Sequence, residues 1–162
     1  MRILALTAAL TLAIDQATKW AVVQGLDLPT VGQIDVLPPY LTFRMAWNTG
    51  INFGLLSGNA AIMRWVLIAV ALAISAWVLV WVYREGATRM AQISAGLLIG
   101  GAVGNVIDRL WYGAVADFLN MSCCGVENPY AFNVADIAIF AGALGLVLFT
   151  GKPAKPKRRK TP

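Results

Sequence analysis

The chain has 162 residues, of which 59% are hydrophobic and 13% charged, with a formal net charge of +5. Soluble domains carry about 25% charged residues, so the composition excludes an ordinary soluble domain and indicates an integral membrane protein of one compact domain. There is no histidine, which excludes Ser-His-Asp and Cys-His nucleophile systems and any histidine-bound metal. Six of the thirteen Lys and Arg lie between Lys152 and Lys160. The rest of the chain is near neutral, so no nucleic-acid partner is expected.

Four apolar runs appear in chain order, each close to the roughly 20 residues that span a bilayer. The first, residues 3–23, follows Arg2 and is interrupted by Asp15, Gln16 and Lys19. Its apolar character resumes through Trp20–Val23, which fits a span better than a cleaved leader. Asp15 and Lys19 are four apart and share a helix face, so they are expected to form a buried structural pair.

The connection from 24 to 64 is too long for a simple loop. Tyr40–Trp47 is β-prone, Asn48-Thr49-Gly50 reads as a turn, and Ile51–Leu56 continues apolar. A small sheet lying on the outer membrane surface is expected here.

The second run, 65–83, is followed by a short connection holding Arg84 and Arg89. In the third, 90–107, Gly96, Gly100 and Gly104 recur every four residues, the small-residue pattern that lets membrane helices approach closely. Gly101, Gly104, Asn105 and Asp108 occupy a neighbouring face, with Arg109 four residues after Asn105. The next connection, 108–132, contains Asp117 between apolar, β-prone flanks, and the adjacent Cys123 and Cys124. These two thiols cannot fill a tetrahedral zinc site, and the pair reads as incidental, the other reading being an intermolecular or mutual disulfide. No cofactor or metal is expected.

The fourth run, 133–150, opens on Asn133 and Asp136, three apart on one face. A basic extension, 152–162, follows the single domain of residues 1–151. Arg2, the Arg84/Arg89 connection and this tail fall on one side of a four-span protein. The excess of positive charge places that side, and both termini, in the cytoplasm. The long connections then face outward, and the tail lies near anionic lipid.

Asp117 and Asp136 therefore stand at the outer ends of antiparallel spans, at one depth. An ionisable group at membrane depth is a functional candidate. Two carboxylates brought together share one proton. The charged member can activate water while the protonated one donates to a carbonyl. The other readings are a helix cap at Asp136, a proton-coupled carrier using the same carboxylates, and an assembly factor held by glycine packing. Carriers bind near mid-membrane, whereas these acids cluster at one face.

Five segments carry a resemblance. They are Asp15-Gln16-Ala17-Thr18-Lys19, Asn48-Thr49-Gly50-Ile51-Asn52-Phe53-Gly54, Gly101 through Arg109, Val115-Ala116-Asp117-Phe118 and Phe132-Asn133-Val134-Ala135-Asp136. In this order they resemble the motifs of bacterial lipoprotein signal peptidase, signal peptidase II. The resemblance implies an all-α membrane protein with four transmembrane helices and a small extracytoplasmic β element. It implies an aspartic endopeptidase of the bacterial inner membrane with its active site toward the periplasm. The substrates would be prolipoproteins, cleaved on the amino side of a diacylglyceryl-modified cysteine, with membrane lipids as further partners. Asp117 and Asp136 would be the catalytic pair. Asn48, Asn105, Arg109 and Asn133 would line the substrate site, with Asp15 and Lys19 as structural support. Two departures stand out: Asn52 where a small residue is usual, and Ser122–Asn128 where aromatics are frequent.

Overall fold

The computed structural model describes residues 1–50 and 60–150. Its apolar runs form four long helices: α1 (Arg2–Trp20), α3 (Ala60–Arg84), α4 (Arg89–Trp111) and α5 (Val134–Thr150). A π-helical segment, Ala21–Gly25, extends α1, and a one-turn helix α2 (Leu28–Val31) follows. The 25 residues of α3 are about 37 Å long at 1.5 Å per residue, more than the roughly 30 Å of bilayer hydrocarbon. Among the described residues, α3 and α4 are long and apolar enough to cross a membrane, and α5 is a shorter apolar helix. The second run starts earlier than expected, at Ala60. The cause is Arg64, which masks the apolar signal but tolerates a helix.

Helix α4 is the hub, packed against α1, α3 and α5. Its glycines make this possible. A Cβ on Gly100 would lie 2.5 Å from the Ala8 carbonyl of α1, and one on Gly101 would lie 2.5 Å from the Ala135 carbonyl of α5. Two adjacent glycines thus seat helices on two sides of α4. An apolar cluster of Leu4, Val78, Val82, Ala95, Leu98 and Leu146 fills the space between the helices.

Three antiparallel strands, β1 (Gln33–Leu37), β2 (Leu41–Asn48) and β3 (Val115–Met121), form a sheet in that order. Strand β2 lies in the β-prone stretch Tyr40–Trp47, whereas β1 precedes it, in a segment not singled out from the sequence. The third comes from the second long connection, so the sheet joins both connections and carries Asp117. In the β2–β3 register, Ala46 faces Asp117 and Asn48 faces Val115, with an irregularity between Phe43 and Ala46. Phe43, Phe118 and Leu119 pack on Val22 and Leu28, which ties the sheet to the end of the first helix. Cys123 and Cys124 are bonded to each other, the mutual disulfide in place of incidental thiols. Ile51–Leu56, Asn52 and the basic tail lie outside the described residues.

Candidate active site

The site forms where α1, α4 and α5 end against the sheet. Asn133 and Asp136 set its shape through the start of α5. The Asn133 side-chain oxygen accepts from the Asp136 backbone amide at 2.9 Å, and the Asp136 Oδ2 accepts from the Asn133 backbone amide at 3.2 Å. This reciprocal cap satisfies two backbone donors that a helix start leaves free. Asp136 is thus a cap, and its second oxygen is engaged elsewhere. Oδ1 accepts from the Asn105 side-chain amide at 2.9 Å.

Asp117 approaches from β3 and is 3% exposed. Its Oδ1 accepts from Asn133 Nδ2 at 2.6 Å and its Oδ2 from Asn48 Nδ2 at 3.0 Å. The Asn48 oxygen accepts the Gly50 amide at 2.8 Å, within a turn whose Gly50 has φ +79°. That bond leaves only the amide nitrogen of Asn48 to face Asp117, and glycine is the residue that takes this φ without strain. Burial, and then the nearby Asp136 charge, push the Asp117 carboxyl up to about 6, against the lowering effect of the Asn48 and Asn133 amides. A carboxyl in this range holds or releases a proton near neutral pH, as general acid–base chemistry requires.

Beneath these residues lies a buried charge cluster. Lys19 Nζ lies 2.9 Å from Asp15 Oδ2 and 2.7 Å from Asp108 Oδ2. Lys19 also donates to Asn105 Oδ1 at 3.0 Å. Asp15 is fully buried, and its Oδ1 accepts the Ala135 backbone amide at 2.9 Å, so α1 holds the first turn of α5. Asp108 accepts from Gln16 Nε2 at 3.1 Å and from the Ala116 backbone amide at 3.2 Å.

The structure therefore brings together Asn48, Asn105, Asn133, Asp117 and Asp136, with Asp15 and Lys19 directly behind them. The expected self-contained Asp15–Lys19 pair is a three-charge cluster instead, because Asp108 shares the ammonium. Sequence reasoning placed Asp108 on the right helix face but gave it no part in the site. Arg109 donates to the Asn105 carbonyl at 3.2 Å. Among the described residues it makes no ion pair with a carboxylate.

Comparison with known proteins places the chain in a family. The profile described as Signal peptidase (SPase) II matches residues 7–151. A lipoprotein signal peptidase of Methylorubrum extorquens (strain PA1) is 44% identical over 144 residues, covering 89% of this chain and 82% of its own. One from Methylobacterium radiotolerans is 42% identical over 157 residues, covering 97% and 90%. A solved structure described as a bacterial membrane enzyme, at 1.9 Å resolution, superposes with a TM-score of 0.78 at 25% identity, covering 95% of this chain and 96% of that one. The chain belongs to the signal peptidase II family.

Proposed function

We propose that this protein is an aspartic endopeptidase of the bacterial inner membrane that removes signal peptides from prolipoproteins, with Asp117 and Asp136 as its catalytic pair. Cleavage falls on the amino side of a cysteine that carries a diacylglyceryl group. The relatives' shared description as lipoprotein signal peptidases supports the substrate class. The observation that carries the mechanism is the single residue Asn133, hydrogen-bonded to both carboxylates.

One carboxylate takes a proton from water as the water oxygen bonds to the scissile carbonyl carbon. The protonated partner gives its proton to the carbonyl oxygen. The resulting diol collapses, the C–N bond breaks, and a proton passes to the leaving amine. The upward shift of Asp117 favours it as the group that keeps the proton, with Asp136 activating water. Asn48, Asn105 and Asn133 orient the carboxylates, Arg109 lines the substrate site, and Asp15 and Lys19 support it.

Four helices cross the membrane in this reading, namely α1, α3, α4 and α5. Both termini are cytoplasmic, because the basic residues gather at one end, and the pair faces the periplasm. The proposal is tested by incubating purified protein with a diacylglyceryl-modified prolipoprotein and with its unlipidated form. Release of the signal peptide from the lipidated substrate supports it, and no release from either form overturns it.

A further inference from the structure

The buried Lys19–Asp108 ion pair reaches toward both halves of the site. Lys19 is 3% exposed and Asp108 1%. From its two members, one hydrogen-bonded arm runs to the Asp136 carboxylate and another to the strand residue next to Asp117. On the first, Lys19 Nζ donates to Asn105 Oδ1 at 3.0 Å, and Asn105 Nδ2 donates to Asp136 Oδ1 at 2.9 Å. An amide offers one acceptor and one donor end. With its oxygen held by Lys19, the amide nitrogen of Asn105 must face Asp136. On the second, Asp108 Oδ2 accepts the Ala116 backbone amide at 3.2 Å. Ala116 immediately precedes Asp117 in β3, so this bond fastens the strand to α4 beside the carboxyl. Gln16 Nε2 and Asp15 complete the surroundings of the pair.

We infer that Lys19 and Asp108 are positioning residues: their ion pair sets the separation and orientation of Asp117 and Asp136 through Asn105 on one side and Ala116 on the other. This rests on the reading of the two carboxylates as the acting pair. A pair that served only to hold helices together would be needed for folding but not for turnover. Here the ion pair bears on Asp136 through Asn105 and on Asp117 through the preceding residue of its strand. Misplacement by about 1 Å, even from a distant change, can cost about 10²-fold in rate.

The test is steady-state kcat and KM of the full-length enzyme on a diacylglyceryl-modified prolipoprotein, with thermal unfolding measured alongside. Lys19→Met is expected to lower kcat about 10²-fold at nearly unchanged KM, and Lys19→Arg to restore part of it. Because Lys19 acts through Asn105, Lys19→Met should cause little further loss in an Asn105→Ala background, whose residual turnover is followed in long single-turnover reactions. An equal fold-loss in both backgrounds overturns the inference, as does a lowered unfolding temperature with kcat per folded enzyme intact. Should Lys19→Met fail to fold, Asp108→Asn replaces it. That change keeps an oxygen for the Ala116 amide but removes the charge that holds Lys19. A fall in kcat with KM kept supports the inference, and an unchanged kcat overturns it. If Asp117→Asn and Asp136→Asn themselves keep turnover, the underlying reading fails. If they are inactive while Lys19→Met keeps full kcat, only the positioning role fails.

Discussion

Asp117 and Asp136 accept hydrogen bonds from one residue: Asn133 gives its side-chain amide to the first at 2.6 Å and its backbone amide to the second at 3.2 Å. The two acids come from different elements, a strand and a helix start, yet one residue bonds to both. A helix cap needs only the Asn133–Asp136 exchange. A shared donor to a second, buried acid gives the arrangement a role beyond capping.

The first prediction concerns pH. Asp117 is raised to about 6, first by burial and then by the Asp136 charge, while Asn48 opposes the shift. If Asp117 keeps the shared proton, kcat/KM falls on the alkaline side as that proton is lost. An amide donor favours the charged carboxylate, so Asn48→Ala should move the fall to higher pH. The apparent value belongs to the pair. A pH–rate profile of both proteins decides this, and a limb that stays put or moves down contradicts it. Stability follows the same sign. The folded state holds this proton more tightly than the unfolded chain, so Asp117 contributes most at low pH. That contribution is lost as pH rises from 3.8 to about 6.

A second prediction concerns Asp15. Breaking an isolated buried ion pair costs about 3–5 kcal/mol. Lys19 keeps Asp108 at 2.7 Å when Asp15 is removed, so that full penalty does not apply. What Asp15→Ala leaves is the buried Ala135 amide without its acceptor, worth about 1–3 kcal/mol. Asp15→Asn retains an oxygen for that amide and should cost less. Denaturation in detergent ranks the three proteins. Equal stability of all three would show that this contact does not hold α5.

Gly104 supplies a third. A Cβ there would press into the Asp15 carboxylate, which Lys19, Gln16 and Ala135 hold in place. Overpacking of this kind costs about 1–3 kcal/mol, and Gly104→Ala should lower the unfolding temperature. Gly25→Ala is the control, since a Cβ there has nothing within 4 Å. Equal unfolding temperatures for the two variants would contradict the packing described.

Much of this site was legible because acids are scarce in an apolar chain. Asp117 and Asp136 stand out at the ends of hydrophobic runs, and helical spacing alone puts Asn105, Asp108 and Arg109 at one end of α4. What the sequence could not convey is pairing at long range. Nothing local in Val115–Met121 indicates that Asp117 lies opposite Ala46, because strand partners are chosen by surfaces far apart in the chain. The same holds for Asp108, whose partners Lys19 and Ala116 meet it only once α1 and β3 have packed on α4. The Asp15–Lys19 pair was visible as an i, i+4 spacing, but that spacing gives no hint of a third charge.

The most direct measurement is turnover of a lipidated prolipoprotein by Asp117→Asn, Asp136→Asn and the double variant, at equal amounts of folded protein. Each substitution keeps side-chain shape and removes one titrating group. The account predicts that each single variant loses nearly all turnover while still binding substrate. It also predicts a double variant little worse than either, because residues acting as a unit are not additive. Asparagine is itself a good helix cap, so a purely structural Asp136 would tolerate the change. Substantial turnover by Asp136→Asn would contradict the account.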